Sequence, residues 1–144
     1  MKLLLINGPN LNLLGQREPE RYGHRSLGDI EAELVAYAQQ KGIELECVQS
    51  NHEGQLIDWI QGAHQECAGI IINPAGYGHT SVALRDALLA VALPTVEVHL
   101  TNIAGREPFR QKTLIADVVL GRISGFGTHG YQLALDALNE HLNS

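Results

Sequence analysis

The stretch Gly69-Ile70-Ile71-Ile72-Asn73-Pro74 is apolar at three successive positions and stops at an Asn-Pro pair. Successive side chains of a strand point to opposite faces, so an unbroken apolar run implies cover on both faces, the situation of a central strand in a parallel sheet. Reading outward tests that placement. Upstream, His52 to Glu66 has helical spacing through Leu56, Ile57, Trp59 and Ile60. Leu45 to Gln49 reads as a strand. Leu27 to Gln40 reads as a helix with Ile30, Leu34 and Tyr37 on one stripe and Gly42 just past its end. Leu3 to Ile6 is the first strand. Downstream follow a helix from Ser81 to Ala92 that stops before Pro94, a strand from Thr95 to His99, a fifth strand from Asp117 to Leu120, and a closing helix from Gly130 to Leu142. Strands alternate with helices and no hairpin signal intervenes, which predicts an α/β, flavodoxin-like, doubly wound five-stranded parallel sheet with helices on both faces. A barrel would need eight strands. At 144 residues the chain is expected to form one domain, residues 1–144.

Composition narrows the function classes. The chain is 44% hydrophobic and 18% charged, enough to bury a core. Its net charge is −6 and its pI near 5.6, which argues against non-specific binding to nucleic acid or an anionic membrane. Seven of its ten cations are Arg, the residue suited to two-pronged anion recognition, so a local anion site stays open. Cys47 and Cys67 make no disulfide framework and read as buried reduced thiols. No apolar run approaches the roughly 18 residues of a membrane span, and the expectation is a soluble, cytoplasmic protein.

In an open parallel sheet, ligands bind beyond the carboxyl ends of the strands where strand order reverses, here between strands one and three. Asn7-Gly8-Pro9-Asn10-Leu11-Asn12 follows the first strand, and Asn73-Pro74-Ala75-Gly76-Tyr77-Gly78-His79-Thr80-Ser81 follows from the third. The fourth ends Glu97-Val98-His99-Leu100-Thr101-Asn102. Glu97 and His99 share one face of that strand, so the carboxylate can fix the imidazole tautomer and favour the imidazolium, or the two can merely satisfy one another at a sheet edge. Thr80 and Ser81 either cap the next helix in the ordinary way or open it to an anion.

Connection one is about twenty residues long where two to six would do, and it is read as a lid over residues 15–25 carrying Arg17, Arg21 and Tyr22. A free tyrosine titrates near pH 10, so only about one molecule in a thousand is tyrosinate at neutral pH. Raising that to about a tenth needs about 2.7 kcal/mol of differential stabilisation, which Arg17 could supply under a closed lid. No Walker or GxSxG motif occurs, and the seven histidines lack metal-ligand spacing. The helix over Ser81–Ala92 is interrupted only by Arg85 and Asp86. It is expected to face another copy of the chain, the alternative being an Ala-rich helix that tolerates exposure.

Several of these segments, taken together, resemble type II 3-dehydroquinate dehydratases. They are Asn7 to Pro19 with Tyr22-Gly23, Gln49-Ser50-Asn51-His52-Glu53-Gly54, Ile72-Asn73-Pro74-Ala75, Tyr77, and His79-Thr80-Ser81. Arg85-Asp86-Ala87-Leu88, Val96-Glu97-Val98-His99, Arg106-Glu107, Phe109-Arg110 and the tail from Gly121 to Leu135 continue the match in order. The resemblance implies a flavodoxin-like fold and a dodecamer built from trimers, with no metal, no cofactor and no covalent imine. It implies anti elimination of water from 3-dehydroquinate to 3-dehydroshikimate through an enolate or enol, a step of the shikimate pathway. Carried over position by position, Tyr22 is the base that takes a C2 proton, and Arg17 favours its tyrosinate. His99, oriented by Glu97, is the acid for the departing C1 hydroxyl, and Asn10 holds a water on the enolate oxygen. Asn73, His79 and Arg110 bind ring hydroxyls, Arg106 is a further substrate contact, and the backbone of Leu100 and Thr101 binds the carboxylate. Asp86 reaches the site from a neighbouring subunit. Thr101 departs from the family's usual Ser but keeps the hydroxyl. The competing reading from another class is a non-catalytic flavodoxin-like module that binds a small organic acid.

Overall fold

Five parallel strands lie in the order β2-β1-β3-β4-β5, which places β1 beside β3 at the point where the winding reverses. The strands are β1 (Lys2–Asn7), β2 (Glu44–Gln49), β3 (Gly69–Asn73), β4 (Thr95–His99) and β5 (Gly121–Ser124). Helices α1 (Leu27–Gln40), α2 (Glu53–Glu66), α3 (Val82–Val91) and α4 (His129–Leu142) connect or follow them. This is a computed structural model that describes residues 1–16, 18, 20 and 24–144. Arg17, Arg21 and Tyr22, and with them part of the expected lid, lie outside the described residues.

The alternation read from the sequence is what divides the core. Leu3 and Leu5 of β1, Ile71 of β3, and Val96 and Val98 of β4 pack to one side with Ile30 and Leu34 of α1 and Leu135 and Leu138 of α4. Leu4, Ile6, Ile70 and Ile72 pack to the other side with Leu56 and Ile60 of α2 and Leu84 and Leu88 of α3. Each such fully buried Leu or Ile is worth about 1.5–3 kcal/mol relative to an exposed one, an upper estimate for an extended unfolded chain.

Local chemistry sets the helix ends. Ser26 Oγ accepts from Asp29 N at 3.1 Å while Ser26 N donates to Asp29 Oδ2 at 3.3 Å, a capping box that starts α1. Ser81 Oγ accepts from Leu84 N at 3.0 Å and starts α3, which ends on Ala92 in the left-handed region at φ 55°. On α3 the face bearing Leu84, Ala87, Leu88 and Val91 is buried, and Val82 and Leu89 on the outer face are more than half exposed. No helix among the described residues is long and apolar enough to cross a membrane. Cys47 and Cys67 are free thiols, half-buried rather than fully enclosed.

One element differs from expectation. The fifth strand is Gly121–Ser124, not Asp117–Leu120. The apolar run Val118-Val119-Leu120 belongs to the preceding turn, where Val118 N donates to Ile115 O and Leu120 N to Thr95 O, and its valines pack against the α2–α3 side. The true strand is an edge strand with Gly121 and Arg122 exposed, so it carries little apolar signal.

Candidate active site

The carboxyl ends of β1, β3 and β4 open into a cleft of about 140 Å³. Asn10, Asn73, His79, His99, Leu100, Thr101, Arg106 and Arg110 all line it. The topology thus brings eight of the residues singled out in the sequence to one rim. Glu97 lies directly beneath, fully buried. Asp86 is exposed on α3 and does not line this chain's cleft, and Arg17 and Tyr22 are outside the described residues.

The floor of the cleft is a hydrogen-bonded column at the end of β4. His99 Nε2 is 2.5 Å from Glu97 Oε2, and His99 is 5% exposed. A carboxylate only accepts, so Nε2 carries the hydrogen and Nδ1 is the ring nitrogen left for the cleft. The other carboxylate oxygen, Glu97 Oε1, accepts from the hydroxyl of buried Thr113 at 3.2 Å. Beside His99, its ring centroid 6.0 Å away, stands His79. His79 Nδ1 lies 2.9 Å from the carbonyl of Lys112, which can only accept, so Nδ1 donates and Nε2 is left over.

The two loops beside the column are held by their own contacts. Asn10 sits in the left-handed region at φ 71° and its N–H donates to Asn51 Oδ1 at 2.9 Å. Gln49 Nε2 donates to the carbonyl of Gly8 at 3.1 Å and to Asn51 Oδ1 at 3.2 Å, tying the loop after β1 to the loop after β2. A Cβ on Gly8 would stand 2.6 Å from the carbonyl oxygen of Pro74, so only glycine lets the ends of β1 and β3 approach this closely.

Guanidinium groups supply positive charge on the far wall. Arg106 Nη1 donates to the hydroxyl of Thr101 at 3.3 Å. Arg110 Nε donates to Glu107 Oε2 at 3.0 Å and stacks its guanidinium over the Phe109 ring. Glu107's own backbone amide, and after it Arg110, hold the Glu107 carboxyl below the usual carboxylate range. One wall therefore offers cations and the floor offers an oriented imidazole, an arrangement suited to a small anionic substrate with an oxygen to be protonated.

The sequence matches the dehydroquinase class II family over residues 1–139. The chain belongs to that family. It is 54% identical over 142 residues to the 3-dehydroquinate dehydratase 2 of Pseudomonas aeruginosa, covering 99% of this chain and 96% of that one. It is 58% identical over 139 residues to the 3-dehydroquinate dehydratase of a Chelativorans species, covering 96% of each. In three dimensions it resembles the crystal structure of the type II dehydroquinase from Butyrivibrio crossotus, with a TM-score of 0.94 at 47% identity, covering 96% of this chain and 97% of that one.

Three contributors to this dehydroquinase cleft were not singled out from the sequence as site residues. Thr113 reaches Glu97 from the β4–β5 connection, Asn51 holds the backbone of Asn10, and Tyr131 of α4 contacts Asn73 from behind. Asn51 and Tyr131 lie in segments that carry the family resemblance, but no local pattern announces any of these contacts, because each joins segments brought together only by the fold.

Proposed function

We propose that the chain removes water from 3-dehydroquinate to give 3-dehydroshikimate by anti elimination, in the cytoplasm and within the shikimate pathway. The observation that carries this reading is the buried Glu97 fixed on His99 Nε2, which leaves Nδ1 as the ring nitrogen toward the cleft, the atom that delivers a proton from the imidazolium. Tyr22, assigned by its place in the sequence motif, takes the C2 proton. The electrons move into the ketone to form an enolate, whose oxygen is stabilised through a water held by Asn10. On collapse of the enolate the C1–oxygen bond breaks, and His99 gives its Nδ1 proton so that water leaves. Glu97 keeps the ring oriented through both states and compensates the imidazolium.

Asn73, His79 and Arg110 hold the ring hydroxyls. The backbone of Leu100 and Thr101 holds the substrate carboxylate, with Arg106 beside it through the Thr101 hydroxyl. Arg17 favours the tyrosinate of Tyr22. The family relationship and the apolar outer face of α3 support a homo-oligomer, a dodecamer of trimers, in which Asp86 of one subunit reaches the cleft of the next.

The test is to mix the purified protein with 3-dehydroquinate and follow the ultraviolet absorbance of the conjugated enone product, with borohydride in a parallel run. Equal rises in both support elimination without an imine, and the Tyr22→Phe variant should then bind substrate while turning it over at a small fraction of the rate. Loss of activity only with borohydride would point to a lysine imine. No rise from a folded oligomer would favour a module that binds a small acid without converting it.

A further inference from the structure

Behind the cleft, on the side away from solvent, a chain of three polar side chains crosses the interior where β1, β3 and α4 meet. Asn7 ends β1, Asn73 ends β3, and both point to the same face of the sheet as Leu5 and Ile71, the face covered by α4. There they meet Tyr131, 1% exposed. Asn73 Nδ2 donates to the Tyr131 hydroxyl oxygen at 3.1 Å, and that hydroxyl donates to Asn7 Oδ1 at 2.6 Å. Burial pushes the Tyr131 hydroxyl well above the ordinary tyrosine range, so it stays protonated and keeps its one hydrogen for Asn7.

We propose that Tyr131 is a positioning residue for the substrate contact of Asn73, an inference that rests on the reading of Asn73 given above. The amide of Asn73 is locked twice. Its Oδ1 accepts from Ala75 N at 3.1 Å, and its Nδ2 gives one hydrogen to Tyr131. A flipped amide would set its Nδ2 against the Ala75 N–H and its oxygen against a hydroxyl whose single hydrogen is already committed to Asn7. What remains on the nitrogen is the second Nδ2 hydrogen, so Asn73 presents an oriented donor from which a ring hydroxyl accepts, beside the second lone pair of its Oδ1. The same lock holds Ala75, a cleft-lining residue in the left-handed region at φ 51°, in the turn that follows β3.

Asn7 shows that the network is retained at a cost. Its Oδ1 serves Tyr131, while its Nδ2 is buried with no hydrogen-bond partner among the described residues. A leucine would fill the same interior without an orphaned donor, so the position is explained by the acceptor it supplies.

The experiment is a double-mutant cycle in steady-state turnover of 3-dehydroquinate, using Tyr131→Phe, which removes the hydroxyl and keeps the ring, and Asn73→Ala. Tyr131→Phe alone should raise KM about fivefold, the worth of one hydrogen bond, with kcat within about threefold of the unmodified enzyme. In the Asn73→Ala background the same change should cost nothing further. An equal penalty in both backgrounds overturns the proposal, because a purely structural tyrosine would act independently of Asn73. An Asn73→Ala variant with unchanged KM would instead sink the role of Asn73, a separate failure. Should Tyr131→Phe precipitate, Asn7→Leu removes the anchor of the same hydroxyl and enters the cycle in its place, with the same coupling expected and additivity again overturning the proposal.

Discussion

Glu97 Oε2 and His99 Nε2 lie 2.5 Å apart at the end of the fourth strand, the carboxylate fully buried and the imidazole opening onto the cleft. The two residues are separated by one valine that faces the opposite side of the sheet, so the strand pleat itself holds the pair together.

Glu97→Gln keeps the volume and an acceptor oxygen but removes the charge that compensates an imidazolium. General acid catalysis by a positioned group is worth about 10²–10⁴-fold. We expect kcat to fall by at least about 10²-fold while KM changes only a few-fold, because the lost interaction belongs to proton transfer rather than substrate binding. A kcat within a factor of a few of the unmodified enzyme would reduce the pair to a structural contact.

Thr113→Val tests the hydroxyl under that pair. It deletes the donor to Glu97 Oε1 and leaves a buried carboxylate lone pair unsatisfied. The expected cost is about 1–3 kcal/mol of unfolding free energy, read from urea denaturation, together with a fall in kcat. Thr113→Ser should restore most of both. If serine fails to rescue while the fold is intact, the methyl packing rather than the hydroxyl is what the position supplies.

The parts of this molecule that could be read in the sequence are those whose physics is local. The triple-isoleucine strand announces a two-sided sheet, and the alternation around it places the reversal point and hence the rim where Asn10, Asn73 and His99 gather. The Glu97–His99 pair is legible because two residues along a strand share a face. Gly121–Ser124 was not legible, since an edge strand exposes half of itself and the more apolar Val118-Val119-Leu120 beside it mimics a buried one. Tyr131 and Thr113 were hidden for another reason: their partners lie 124, 58 and 16 positions away, and no periodicity encodes such a meeting. Arg106 and Arg110 stand out only through the family resemblance, because their loop has no regular period.

Gly8→Ala probes the crossing of β1 and β3. The new methyl would stand 2.6 Å from the carbonyl oxygen of Pro74 and 2.9 Å from its carbon, both backbone atoms that cannot swing away. Overpacking of this kind costs about 1–3 kcal/mol. Gly8 N also donates to the carbonyl of Asn73 at 2.8 Å, so the strain passes directly to a cleft residue and KM should rise with the loss of stability. A variant as stable as the parent, with unchanged KM, would mean that the two strand ends part without consequence.

The two cysteines should differ in reactivity and in their effect on alkaline stability. Burial, and after it the charge of Glu31, pushes the Cys47 thiol up to about 12. Burial also raises the Cys67 thiol, but Lys2 opposes that shift. Because the thiolate is the reacting form, iodoacetamide at pH 8 should alkylate Cys67 first and reach Cys47 only when the chain unfolds, a difference that peptide mass spectrometry resolves. The sign of the pH effect follows from the same shift. An unfolded cysteine titrates near 8.5, so above that pH the unfolded chain releases the Cys47 proton while the folded chain keeps it. Stability is therefore undiminished below about 8.5 and declines as pH climbs toward about 12. Urea midpoints between pH 7.5 and pH 10 should fall more steeply for the unmodified protein than for Cys47→Ala. Parallel slopes for the two proteins, or alkylation of Cys47 ahead of Cys67 in the folded state, would show that this thiol is not withheld from solvent.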